Sequence, residues 1–278
     1  MGWTTRSTFR MLHPLPRTLP LSHPFAPVKT LSLVSRDEAS FEAWVLEPSN
    51  PKGVIVACHG YRANRLQLVE IAHGLHQRGY AVITFDLRGH GTRPGRCTFG
   101  VQNVWDVEAV LGWIDQQPTL RTLPLGGFGV SLGGAVAIQT ALRTARWRAL
   151  VTDSTYARLF RVVARVVRRD YHLPEIPWAW MTWAGVQLAL RCRLSRLDPA
   201  ALAMRARMPL LHIHGAQDQV VPLEEGDLLY QNWQGPKTRW IAPHAEHAGA
   251  HGGEPEAYVA RVSAFFDRWL LASPASGS

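Results

Sequence analysis

From Lys29 onward the chain falls into a regular alternation of apolar and polar positions. "TLSLVS" and "FEAWVLEP" alternate with a period of two, which predicts an antiparallel strand pair joined through Asp37 and Glu38. "GVIVACHG" is apolar throughout and ends in a turn, as a strand buried on both faces does. "RLQLVEIAHGLHQRG" carries its apolar residues at helical spacing and stops at Gly79. "YAVITFD" is a second buried strand and "VWDVEAVLGWIDQQ" a second amphipathic helix. Pro124 to Val130 is then a run of strand length, Leu132 to Leu142 has helical spacing, and "RALVTDS" returns to strand. Strand and helix taking turns predict an α/β fold, a mostly parallel sheet with helices on both faces. Such sheets bind ligands at the carboxyl ends of their strands.

Between Thr155 and Arg207 the alternation lapses. "YARLFRVVARVVRR", "IPWAWMTWAGVQLALRCR" and "DPAALAMRA" are helical stretches with no strand among them, so residues 155–207 are expected to form a helical cap over that carboxyl edge. The sheet resumes with "PLLHIHG" and "TRWIAP", separated by the helix around "EEGDLLYQNW", and the last helix is "PEAYVARVSAFFDRWLL". One domain, 29–271, accounts for this pattern. Residues 1–28, interrupted by Pro14, Pro16, Pro20, Pro24 and Pro27, are expected to be a poorly ordered arm outside the fold, and 272–278 a polar tail.

Composition narrows the class. With 46% hydrophobic and 18% charged residues in 278, the chain is long enough for one large core. No run of eighteen apolar residues is present to span a membrane. The arm lacks the apolar stretch of a signal peptide, and Arg6 breaks a myristoylation pattern. Cys58, Cys97 and Cys192 are odd in number and scattered, which fits a reducing cytoplasm rather than a disulfide framework. The formal charge of +9 is carried by arginine, with lysine only at 29, 52 and 237. It matches a general preference for Arg over Lys better than a nucleic-acid or acidic-membrane surface, and no nucleic-acid-binding motif accompanies it.

The chemistry is concentrated at the strand-to-helix join "GVSLGG". A serine hydroxyl becomes a nucleophile when a base takes its proton and an acceptor holds that base in the right tautomer. On a sharp turn the residues two before and two after the serine crowd it, and Gly129 and Gly133 flank Ser131 in those places. The helix that follows points its free N–H groups at the serine. Asp218 follows the strand "LLHIH" and is the candidate acid, with Asp153 in "VTDS" as a rival suited to orienting the start of the cap. "HAEHAGAH" supplies His244, His247 and His251 after the last strand; His247, central and followed by small residues, is the preferred base. The backbone N–H groups of Tyr61 and Leu132 are candidate oxyanion donors, whereas His59 and His90 read as structural hydrogen-bonders. His212 and His214 share one strand face close to Asp218, a constellation that fits satisfied core histidines better than a metal site.

With "HGYR", "DLRGHG", "GVSLGG", "HGAQD" and "HAEHAG" in that order, the sequence resembles the α/β-hydrolase superfamily over residues 29–271, and within it the bacterial serine-aminopeptidase-like and esterase members with a short helical lid. The resemblance implies an α/β-hydrolase fold, a triad in the chain order Ser131, Asp218, His247, and neither metal nor organic cofactor. Many members with such a loop begin with a membrane helix, which this sequence does not contain, so membrane association stays open. The activity expected is that of a serine hydrolase on a small-molecule acyl substrate, an ester or a related thioester or amide, with no nucleic-acid partner. A peptidase or acyltransferase using the same three residues, and a silent scaffold, are the alternatives. In the cap, Trp178, Trp180, Met181 and Trp183 either line an apolar pocket or pack the helix onto the core. Arg158, Arg161 and Arg165 read as a solvated face able to attract an anionic substrate.

Overall fold

A computed structural model describes residues 2–14 and 29–272. In chain order the elements are α1 (Trp3–Leu12), β1 (Lys29–Val34), β2 (Ser40–Leu46), β3 (Gly53–Cys58), α2 (Val69–Gln77), β4 (Tyr80–Phe85), α3 (Asn103–Gln116), β5 (Leu125–Val130), α4 (Leu132–Ala141) and β6 (Trp147–Asp153). They continue as α5 (Leu159–Tyr171), α6 (Glu175–Leu190), α7 (Pro199–Ala203), β7 (Leu210–Gly215), α8 (Leu223–Asn232), β8 (Lys237–Ala242), the single turn α9 (Ala250–Gly253) and α10 (Pro255–Leu270). The eight strands form one sheet in the order β1-β2-β4-β3-β5-β6-β7-β8. Pairings from β4 to β8 are parallel, and β1 and β2 extend the sheet antiparallel.

The central strands are apolar without interruption because both sheet faces are covered. Their period of two splits the core in two. Val54, Val56 and Cys58 of β3 point to the layer that contains Val107, Leu111 and Val136 of α3 and α4. Ile55 and Ala57 point to the layer of Leu75, Tyr258 and Phe266 from α2 and α10. β5 lies mid-sheet between β3 and β6, so whatever follows Val130 emerges at the centre of the carboxyl edge.

The N-terminal residues correct the sequence expectation. Instead of a poorly ordered arm, Trp3–Leu12 form a helix packed against α6, with Met11 and Leu12 buried. Trp3 meets Trp178 edge-on at 4.9 Å and Tyr171 at 5.5 Å, and the hydroxyls of Ser7 and Thr182 lie 3.0 Å apart. The prolines of this segment all follow the helix, and its partners on α5 and α6 lie 160 residues or more along the chain. The rest of the expected arm, residues 15–28, and the tail from 273 fall outside the described residues. Between β6 and β7 the chain runs through α5, α6 and α7 with no strand, and α5 packs on α6.

Candidate active site

Ser131 is the hinge between β5 and α4 and sits at φ 52°, ψ −113°, a conformation L-residues rarely adopt. The turn is tight enough to require both flanking glycines. A Cβ on Gly129 would lie 2.4 Å from the backbone of Gly133, and one on Gly133 would lie 2.0 Å from the carbonyl oxygen of Cys58. The Ser131 N–H donates to the Asp153 carbonyl at 2.7 Å, which ties the turn to the end of β6.

Two other strand ends bring groups to this hydroxyl. The loop after β8 carries His247, whose Nε2 lies 3.1 Å from Ser131 Oγ. Its Nδ1 lies 2.7 Å from Oδ2 of Asp218, in the turn after β7. The other oxygen of Asp218 accepts the N–H groups of Val220 and Val221, both at 2.8 Å, so the carboxylate is held with one oxygen toward the imidazole. That contact favours the proton on Nδ1 and leaves the Nε2 lone pair toward the serine.

The remaining candidates are elsewhere. His244 is exposed, and His251 packs edge-on against Tyr258 with Nδ1 3.7 Å from Glu70. Among the described residues no imidazole pairs with Asp153; its buried carboxylate accepts the hydroxyls of Tyr258 and Ser154, both at 2.8 Å. Burial raises the pKa of that carboxyl, and the two hydroxyls pull it back down. Ser154 Oγ in turn accepts the Ala248 N–H at 3.0 Å, so Asp153 is linked through Ser154 to the loop that carries His247, while its carbonyl accepts the Thr155 hydroxyl at the start of the insert at 3.4 Å. The pairing with Tyr258 has no local signal in the sequence, because the tyrosine is 105 residues downstream.

The histidines read as structural have structural partners. His59 Nδ1 donates to the Gly60 carbonyl at 2.8 Å and Nε2 accepts the Leu87 N–H at 2.9 Å; burial, aided by His90, pushes its pKa down to about 3. His212 pairs with Thr152 at 2.9 Å, and His214 Nε2 donates to the Val221 carbonyl at 2.9 Å. Among the described residues no group of three or more His, Cys, Asp and Glu side chains is arranged to hold a metal ion.

Leu132 is the first residue of α4, so its N–H has no acceptor within the helix. Across from it the loop after β3 packs on Ser131: a Cβ on Gly60 would be 3.6 Å from the serine Cβ. The Gly60 N–H is taken by Gln67 Oε1 at 2.8 Å, so Tyr61 supplies the next amide in the loop. The Tyr61 hydroxyl donates to the Met11 carbonyl at 3.0 Å, a link between this loop and α1 that sequence patterning did not anticipate.

Ser131 and His247 open into a cavity of about 340 Å³. Its apolar wall includes Met11, Phe99, Leu159 and Val166, and Arg10, Arg62 and Arg169 also line it. Among the described residues that line it the one carboxylate, Asp170, is paired with Arg169 at 2.7 Å and lies 3.9 Å from Arg62. None of Trp178, Trp180, Met181 and Trp183 lines it, and only part of the stretch packs inward. Trp183 is buried against Phe160, Trp178 packs on Trp3, and Trp180 and Met181 face outward. Nor is Arg158 a free solvated charge: its N–H donates to Glu225 at 2.8 Å and its guanidinium is paired with the same carboxylate.

A family model described as serine aminopeptidase, S33, matches residues 49–199, more than half of the chain. The chain belongs to that family. Bacillus subtilis YqkD is 28% identical over 225 residues, 79% of this chain and 73% of its own length. Escherichia coli YfhR is 23% identical over 230 residues, 80% and 74% of the two chains. Among solved structures, a Pyrococcus furiosus esterase superposes with a TM-score of 0.78 at 24% identity, covering 94% of this chain and 98% of its own. A Pyrococcus horikoshii acylaminoacyl peptidase gives 0.69 at 17%, covering 91% and 43%. The architecture is the α/β-hydrolase fold, and the protein is a hydrolase of that superfamily. No helix among the described residues is long and apolar enough to cross a membrane.

Proposed function

We propose that this hydrolase cleaves carboxylic esters through an acyl-enzyme on Ser131, with His247 as general base and Asp218 orienting it. The observation that carries the reading is the continuous contact from Ser131 Oγ to His247 (3.1 Å) to Asp218 (2.7 Å), with Ser131 and His247 lining a cavity that has one apolar wall. As Oγ attacks the ester carbonyl carbon, Nε2 takes the hydroxyl proton and the imidazolium is stabilised by the carboxylate. The negative charge that forms on the carbonyl oxygen is received by the N–H groups of Tyr61 and Leu132. The tetrahedral intermediate collapses, and His247 returns the proton to the departing alkoxide. Water then repeats the sequence on the acyl-enzyme, releasing the carboxylic acid and restoring Ser131.

The cavity favours an ester over a peptide with a free amino terminus. An incoming ammonium group would meet the guanidiniums of Arg10, Arg62 and Arg169, and the carboxylate of Asp170 is already engaged by Arg169. The three free thiols agree with a reducing compartment.

A panel of p-nitrophenyl esters of graded acyl length beside aminoacyl p-nitroanilides tests the reading. Short- and medium-chain esters should turn over and the anilides should not. His247→Ala should lower kcat by several orders of magnitude, about 10⁴ or more, whereas His244→Ala and His251→Ala should stay within a few fold. Preferred turnover of the anilides, or full ester activity in His247→Ala, would overturn it.

A further inference from the structure

Helix α6 is apolar on every side, a pattern ordinarily found in helices that are fully buried or in contact with lipid. Only one side is buried here: Ala179, Thr182, Trp183, Val186 and Leu190 face the protein. The opposite side presents Ile176, Pro177, Trp180, Met181, Ala184 and Leu188, an exposed stripe without one polar residue over some four turns. Leu188 is 80% exposed and Ile176 72%. On α1, which packs beside α6, Phe9 is 57% exposed. Five of the eight large hydrophobic residues most exposed among those described therefore lie on this helix pair.

The net charge of the molecule is concentrated in the two chain segments that contain the stripe. Residues 1–14 and 155–197 hold ten arginines against two acids, Asp170 and Glu175, and so carry eight of the nine net positive charges. Arg6 and Arg10 are exposed on α1; Arg191, Arg193 and Arg196 are exposed at the carboxyl end of α6. At its other end, Arg161, Arg165 and Arg168 of α5 line an open groove of about 460 Å³ that reaches Glu175, the first residue of α6, and that Asp218, Glu224 and Glu225 line as well. An apolar stripe ringed by cations fits a surface that is apolar beneath an anionic layer.

We propose that the outer face of α6, with Phe9 of α1, docks on the surface of an anionic lipid bilayer. The stripe enters the boundary between headgroups and acyl chains, and the flanking arginines meet lipid phosphates. Docking is separate from the ester-cleaving chemistry, since none of the stripe residues lines the cavity beside Ser131.

The test is co-sedimentation of the purified chain with vesicles of phosphatidylcholine alone or mixed with phosphatidylglycerol, at low and high salt. Wild type should pellet with the mixed vesicles, weakly with the neutral ones, and less at high salt. Ile176→Ser/Leu188→Ser should lower the bound fraction about tenfold while hydrolysing a soluble short-chain ester like wild type, a readout that also certifies folding. Adding Trp180→Ser, which gives up a contact with Phe160, should abolish binding. Wild type that stays in the supernatant with mixed vesicles, or a double variant that binds undiminished, overturns the proposal. So does a wild-type dimer that the double variant splits and that ignores vesicles, because the stripe then belongs to a second copy.

Discussion

Ser131 is held at a backbone conformation costing roughly 1–3 kcal/mol, and the surroundings, not the serine, enforce it. Cys58 and His59 close over Gly133 from β3, Thr155 over Gly134 from beyond β6, and the Asp153 carbonyl takes the serine N–H. Gly133→Ala therefore forces backbone apart where nothing flexible can yield, and should cost on the order of 3 kcal/mol or more, with loss of activity as the Tyr61 loop moves. Gly112, exposed in the middle of α3 with no atom near its missing Cβ, is the contrast: Gly112→Ala should stabilise by about 0.5–1 kcal/mol. Denaturant titration of the two variants checks both signs. The turn was legible in sequence because its constraint is local, glycines two before and two after a serine between two hydrophobic periods. Choosing between Asp218 and Asp153 was harder, since both follow strands, and what separates them is where Tyr258 and His247 arrive from distant parts of the chain.

At the scale of elements, the strands and sheet-covering helices followed from periodicity, because a buried parallel sheet leaves continuous apolar runs that little else imitates. Helix α1 did not. It is short, its inward side includes Ser7, and its partners Thr182, Trp178 and Tyr61 are set by tertiary packing. The tryptophans of α6 show the same limit: their spacing announced a helix but not which of them the fold would bury. Where the insert joins the sheet, the Leu159 N–H at the start of α5 donates to Asp198 at 2.9 Å. Burial raises the Asp198 carboxyl to about 6, with Glu225 adding to the rise and the Leu159 N–H opposing it. A carboxyl whose folded pKa lies above its unfolded value favours the folded state most when protonated; that contribution is complete below about pH 4 and lost as the pH rises through 6. Asn keeps the acceptor without the charge. Asp198→Asn should thus gain in melting temperature relative to wild type as the pH is raised from 4 to 7, as thermal melts at a series of pH values would show.

In the molecule as a whole, the sheet gathers at one edge what the sequence scatters over 116 residues, from Ser131 to His247. The helices between β6 and β7, together with α1, complete the cavity above that edge and also carry most of the net charge. Charge distribution was readable as a count, but its meaning depended on which side of α6 the fold left uncovered. The central claim is that one serine among the chain's hydroxyls is activated as a nucleophile. Mass-spectrometric mapping of a fluorophosphonate adduct on wild type, Ser131→Ala and His247→Ala measures this most directly. The account predicts a single modified residue, Ser131, with no adduct in Ser131→Ala and a strongly slowed one in His247→Ala; labelling that persists in folded Ser131→Ala, or never occurs in folded wild type, would contradict it.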